Sequence, residues 1–404
     1  MEVNCPRTHG IFLICLVTLL LRSSSGCVHP RPEVPRHADA LRNIVVYEGR
    51  SEYCAWPSLA RISGGDLIVL FTRTEEHLGP NGAILLSRST DNGKSWLAPV
   101  VALDSPLDDR ESGITTLRDG RIIGHFWSTF WTKESYERLQ ANSYGRDVLD
   151  RWIASVEKPE YKNAEKNAGG WTAVSRDGGR TWSKFVRGFD SVHGGIELAD
   201  GRLLLASYRT SRDSILVHEA DSLSGPWRLV ATLVPRLSDS VSFTEPHILQ
   251  LPSGRVIIMI RVEPRSHGNQ DVRSTLWESY SDDGGSTWVK PFETPLWGLP
   301  PHLALLSDGR VLCTYGYRRS PFGERACLSS DGIHWDLRDE VILRDDAPNG
   351  DLGYPASIEL EPGIVLTVYY QPDVPPGTVQ QMSPPDPERT KPGILGTIWK
   401  VPAR

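Results

Sequence analysis

A tight turn leading into an apolar strand recurs six times in this 404-residue chain, and no other feature limits its fold so strongly. The turns centre on Gly65, Gly120, Gly201, Gly254, Gly309 and Gly363, at spacings of 55, 81, 53, 55 and 54 residues. The strands LIVLF, IIGHF, LLLAS, VIIMI, VLCTY and IVLTV follow them, and Ile62, Leu117, Leu198, Leu251, Leu306 and Leu360 stand three positions before the glycines. A glycine between two apolar strands supplies the backbone freedom of a hairpin. Six β units of about 54 residues predict an all-β chain folded as a six-bladed β-propeller of four-stranded antiparallel blades. The length exceeds the usual single-domain range, but closed β architectures are the exception to that range. The 36 Gly and 30 Pro are scattered, as many short strands and turns require.

A second motif interleaves with the first. Ser89, Asp91, Gly93, Ser95 and Trp96 are matched by Ser175, Asp177, Gly179, Thr181 and Trp182, and again by Ser281, Asp283, Gly285, Thr287 and Trp288. A shorter copy runs from Ser330 through Asp331 and Gly332 to Trp335, and a decayed one lies at 221–227. The aspartate can accept N–H bonds within its own turn, the glycine takes a positive φ, and the tryptophan caps the apolar layer between sheets. A group repeated in every blade belongs to the scaffold rather than to one catalytic centre.

These are Asp-boxes, and with the six-fold period they make residues 41–404 resemble the sialidase (neuraminidase) superfamily of BNR-repeat propellers. Residues 44–47 are expected to close the last blade. The 81-residue spacing marks an insertion at about 131–170, with short helices expected at 132–140 and 146–156. It could be a lid, a dimer contact or surface decoration. The Pro-rich stretch 371–392 reads as a long extended loop.

Residues 1–27 read as a signal peptide: Arg7 precedes an apolar run at 11–21, and Ser23 to Gly26 offer small residues for cleavage. Cys27 suggests a lipoprotein anchor, although Ser24 departs from the usual pattern, and ordinary cleavage remains the alternative. Residues 28–40 would be a linker. The chain is therefore expected to be secreted, periplasmic or cell-surface, with no transmembrane segment. Cys313 and Cys327, on neighbouring strands, could form a disulfide or remain buried thiols. A balance of 44 Lys+Arg against 50 Asp+Glu, net -6, argues against nucleic acid as a partner. No cysteine–histidine spacing suggests a metal, and no cofactor is expected.

Nine positions before each turn glycine, near the start of each innermost strand, stand Trp56, Glu111, Val192, Glu245, Pro300 and Tyr354. The next strand ends near the same face and carries Arg73, Arg209, Arg261 and Arg318. Guanidinium forks suit a carboxylate, although salt bridges within the rim would use the same arginines. His193, His247 and His302 adjoin the channel-lining positions and suggest a polar floor contacting sugar hydroxyls.

The resemblance implies an exo-acting glycoside hydrolase removing a terminal anionic sugar from a glycan. Tyr354 looks like the nucleophile, Glu245 like its base, and Arg261 and Arg318 like two arginines of the carboxylate clamp. A tyrosine needs a neighbouring base to attack, and tyrosine nucleophiles are a recognised exception among glycosidases. Two departures stand out. Ala55 occupies the place of the first clamp arginine, which Arg73, Arg110 or Arg209 could replace. The loop after Arg73 lacks the acid/base aspartate, so Glu75, Glu76, His77 or Glu111 would have to donate the proton. A glycan-binding propeller without turnover and a polysaccharide lyase acting on uronates are the rival readings.

Overall fold

A computed structural model of the chain describes residues 35–404 apart from 50, 140–143, 190, 209–210, 224, 235–240, 266–273 and 373–390. Six antiparallel sheets follow one another in chain order, each running from an inner to an outer strand. The first blade comprises Tyr53–Arg61, Leu67–Thr74, Ala83–Ser89 and Val100–Leu103. The second comprises Asp108–Thr116, Ile122–Thr129, Gly169–Ser175 and Val186–Arg187, and the third Ile196–Glu197, Leu203–Tyr208, Ile215–Ala220 and Arg228–Leu233. The fourth holds Val241–Gln250, Val256–Pro264, Thr275–Ser281 and Phe292–Trp297, and the fifth Pro301–Leu305, Val311–Tyr317, Gly323–Ser329 and Glu340–Arg344. The sixth takes Gly353–Glu361, Ile364–Pro372 and Pro392–Lys400 from the C-terminus and completes itself with Asp39–Tyr47. That closing strand starts earlier than residue 44, and Arg36–His37 adds a short parallel pairing to the outer strand of the fifth blade. Within the described residues no helix is long and apolar enough to cross a membrane. The signal peptide and Cys27 lie outside the described residues, as does most of the Pro-rich stretch 371–392.

The repeating turn does what its composition predicts. In five blades the residue three before the glycine accepts that glycine's N–H, as Gly65 to Ile62 at 3.0 Å and Gly120 to Leu117 at 2.9 Å. The glycine itself sits at φ between +77° and +94° across the six turns. At Gly65, Gly201, Gly254 and Gly363 an added Cβ would meet nothing within 4 Å, so backbone conformation rather than space selects glycine there.

The Asp-boxes are local clasps. Asp177 accepts from Thr181 N–H at 2.9 Å and Thr181 Oγ1 at 2.6 Å, while Ser175 Oγ accepts from Gly179 N–H at 2.7 Å. Hydrogen bonds from Ser95, Thr181 and Thr287 hold Asp91, Asp177 and Asp283 down at about 2. In the short copy the serine is Ser329, not Ser330: its Oγ accepts from Gly332 N–H at 2.9 Å. Each box tryptophan packs into the apolar layer shared with the preceding blade. Trp96 joins the layer between the last and first blades, Trp182 that between first and second, and Trp288 and Trp335 those around the fourth. Trp227 of the decayed box does the same between the second and third blades.

The insertion forms helices Lys133–Arg138, Arg146–Val156 and Pro159–Asn163. Thr132 caps the first, its side chain accepting from Ser135 N–H. Tyr136, Leu149, Trp152, Val156 and Tyr161 bury a small core of their own against Leu107 and Leu78. Cys313 and Cys327 face each other in register and are buried, yet both are free thiols, so the disulfide alternative does not hold.

Candidate active site

The inner strands break their pleat at one equivalent place. Register shifts fall between Ala55 and Ser58, Arg110 and Gly113, Thr244 and His247, and Gly353 and Ala356. Inside these four bulges lie Trp56 at φ +55°, Glu111 at +54°, Glu245 at +46° and Tyr354 at +51°. These are four of the six positions reached by counting nine back from the turn glycines. A non-glycine residue held left-handed costs about 1–2 kcal/mol, and such strain clusters at functional sites. The bulge turns each side chain away from the alternation of its strand.

Tyr354 Oη donates to Glu245 Oε1 at 2.8 Å. Arg261 Nη1 donates to Glu245 Oε2 at 2.5 Å and to Tyr354 Oη at 3.2 Å. All three are nearly buried. Burial pushes the Tyr354 hydroxyl well above its ordinary value, and the Glu245 charge adds to this, so the resting phenol is neutral and bonded to its base. Arg318 lies with its guanidinium carbon 5.7 Å from the Tyr354 ring centre, held by Leu352 O at 2.9 Å and Tyr370 Oη at 3.4 Å. The four residues that carry the functional expectation are thus brought together.

The arginines differ in what they leave free. Arg261 gives its remaining edge to Glu263, at 3.1 Å from Nε and 2.8 Å from Nη2, so much of the fork that should grip a substrate is filled within the protein. Arg73 pairs with Glu52 at 3.4 Å. Arg209 lies outside the described residues. Arg110 stacks over Trp56 at 4.4 Å while bonding Asp108 at 3.3 Å and His77 O at 2.8 Å; of the three candidate replacements for the missing arginine, it is the one that lies beside Trp56. Ala55 itself is fully buried.

Of the proton-donor candidates, Glu75 is bound by Arg151 and, at 2.8 Å, by Trp152 Nε1. Burial would raise it, but those hydrogen bonds and the Arg151 charge outweigh burial and hold it below the usual carboxylate range. Glu76 pairs with Lys391 at 2.7 Å. Both anchor neighbouring segments rather than joining Tyr354. Glu111 accompanies His77 and Arg110 in the lining of a cavity of about 500 Å³, which Trp127, Trp131 and Arg212 also line. Trp131 comes from the insertion, which therefore contributes to the wall of that cavity.

His193, His247 and His302 do gather, with ring centres 4.3–5.3 Å apart. Burial keeps all three neutral, His302 being pushed down to about 3. His247 Nδ1 accepts from Leu303 N–H at 2.7 Å and His302 Nδ1 from Ser357 N–H at 3.4 Å, which ties them to neighbouring inner strands.

Tyr53, Asp351, Tyr370, Arg212 and Glu263 are among the partners that escaped the sequence reading. Tyr370 had a signal, since it stands seven residues after Gly363 as Arg261 stands seven after Gly254.

The profile of the BNR repeat-like domain matches residues 155–366, more than half of the chain. Comparison with curated proteins returns no match. Among solved structures, a protein of unknown function from Dyadobacter fermentans is 24% identical over 90% of this chain and 99% of its own, with a TM-score of 0.70. The NanB sialidase of Streptococcus pneumoniae is 12% identical over 89% of this chain and 70% of its own, with a TM-score of 0.59. The α-L-arabinanase of Penicillium chrysogenum is 12% identical over 90% of this chain and 98% of its own, with a TM-score of 0.55. At these identities the likeness is one of fold.

Proposed function

This chain belongs to the family of BNR repeat-like domains within the sialidase-type propellers, and we propose from that premise that it is an exo-acting glycoside hydrolase removing a terminal, carboxylate-bearing sugar from a glycan. The observation that carries the reading is the Tyr354–Glu245–Arg261 cluster. A neutral phenol donating to a carboxylate at 2.8 Å is a nucleophile poised to lose its proton as it attacks. A tyrosine also approaches an anionic sugar without the repulsion a carboxylate would meet. Tyr354 attacks the anomeric carbon, Glu245 takes the phenolic proton and becomes neutral, and Arg261, bonded to both, holds the pair in line for that transfer. Arg318 and Arg110 supply positive charge for the substrate carboxylate, and water then releases the sugar. The N-terminal segment fits a secreted enzyme acting outside the cytoplasm, on extracellular or surface glycans.

One observation favours a second reading, a hydrolase for a neutral sugar. The Arg261 fork is shared between Glu245 and Glu263, and Ala55 supplies no charge. A single panel separates the two: 4-nitrophenyl glycosides of N-acetylneuraminic acid, glucuronic acid and L-arabinofuranose, scored for release of nitrophenol. Turnover of an acidic glycoside alone supports the lead, and turnover of the arabinoside alone supports the second reading. Glycan binding without release of any sugar would leave a lectin. A product with an unsaturated, ultraviolet-absorbing ring would mark a lyase.

A further inference from the structure

Residues from opposite ends of the chain clasp one imidazole. His77 Nδ1 lies 2.6 Å from Tyr53 Oη and 3.5 Å from Asp351 Oδ1. Tyr53 donates its single proton to that same Asp351 oxygen at 2.7 Å, and Tyr370 donates to it at 3.2 Å. The proton between His77 and Tyr53 must then sit on Nδ1, which fixes the ring and leaves Nε2 for an outside partner. Burial would raise Asp351, but the hydrogen bond and charge of His77 outweigh it and hold the carboxyl below its usual range.

The clasped ring is also well placed. The His77 side chain is 47% exposed and lines the 500 Å³ cavity beside Arg110 and Glu111. Its edge meets Trp56 at 5.4 Å between ring centres, and Trp56 in turn meets Tyr354 at 6.3 Å. One indole therefore separates the imidazole from the nucleophile. Glu75 and Glu76, its neighbours on the loop, are held by Arg151, Trp152 and Lys391.

We propose that His77 is the general acid and base of this site, with Asp351 and Tyr53 as its positioning residues and the adjoining cavity as the place of the departing group. The assignment rests on the glycosidase reading. In the first step Tyr354 Oη bonds to the anomeric carbon as the glycosidic C–O bond breaks. The bonding pair goes to the leaving oxygen, which takes the Nε2 proton of His77, while the Tyr354 proton passes to Glu245. In the second step a water gives its proton to His77 Nε2 and its oxygen to the anomeric carbon. The phenolate leaves and recovers its proton from Glu245, so both groups return to their starting states.

The test compares methyl and 4-nitrophenyl glycosides of whichever panel sugar the wild type cleaves. Nitrophenolate leaves without a proton, whereas methoxide does not. His77→Asn in the full chain should lose about 10²–10⁴-fold in kcat/KM on the methyl glycoside and less than about tenfold on the nitrophenyl one. Asp351→Asn loosens the hold on the ring, so it should show the same leaving-group-dependent loss as His77→Asn, in smaller degree. Arg110, Glu111, Arg212 and His218 also line that cavity and Tyr370 bonds Asp351, and none of these is changed in these variants. Equal losses on the two glycosides, or no loss on either, would overturn the assignment. So would a leaving-group-dependent loss in Glu111→Gln with His77→Asn unaffected. A wild type that cleaves none of the panel would instead defeat the glycosidase reading, which keeps the two failures apart.

Discussion

Replacing Tyr354 by Phe separates chemistry from folding, because the structure fixes what each should lose. The ring packs against Trp56 and Tyr370 at 6.3 and 5.9 Å between centres, and phenylalanine keeps those contacts. Two hydrogen bonds disappear, to Glu245 and from Arg261. No charge is left without a partner, since Arg261 still binds Glu245 at 2.5 Å and Glu263 at 2.8 Å. The cost is therefore that of two ordinary buried hydrogen bonds, about 2 kcal/mol, rather than the about 3–5 kcal/mol of a broken buried ion pair. For a domain of this size that lowers Tm by about 2–3 °C, since the unfolding entropy is near 2 cal/mol/K per residue. Turnover should fall by about 10³-fold or more, as when the attacking group of a covalent mechanism is removed. Differential scanning fluorimetry and initial rates on one glycoside read both quantities from the same sample. A variant with wild-type Tm that still turns over within tenfold of the parent would refute the nucleophile assignment. A fall in Tm of about 10 °C or more would refute the claim that Glu245 and Arg261 hold each other.

Arg318→Ala should raise KM for a carboxylate-bearing glycoside by about tenfold or more while changing neutral glycosides little, and equal effects on both would remove it from the clamp. Glu75→Gln should leave kcat/KM within about threefold yet loosen the insertion, seen as faster proteolysis or hydrogen exchange over 133–156; loss of turnover with an intact insertion would return Glu75 to the chemistry. Burial pushes Glu278 up to about 8 from 4.5. A raised carboxyl stabilises the fold fully below pH 4.5 and loses that contribution as pH rises through 8, so from pH 5 to 7 the wild type should lose up to about 3 kcal/mol, two units at 1.36 kcal/mol each. Glu278→Gln should abolish that slope in denaturant titrations, and an unchanged slope would show that Glu278 ionises freely.

The fold was legible because its signals are local and repeated. A glycine turn needs only a few residues, and an Asp-box needs one serine, one aspartate and a glycine. The station nine before each turn was legible for the same reason, and it holds Trp56, Glu111, Glu245 and Tyr354. What escaped notice depends on contacts that no local pattern records. Asp351 meets Tyr53 across 298 positions, and Glu75 meets Trp152 across 77 through an insertion that breaks the repeat. Glu263 is a different omission. It lies two residues from Arg261 on the same strand face, so the alternation of a strand already implied that the two would pair.

The left-handed kinks at Trp56, Glu111, Glu245 and Tyr354 carry a consequence for how such a ring can diversify. The main chain there is shaped by the blade, not by the residue that occupies it, since an indole, two carboxylates and a phenol accept the same bend. Exchanging one of these side chains can redirect the reaction while the scaffold keeps its course. New activities on this architecture then require single codon changes at fixed sockets, with no loop to be reinvented.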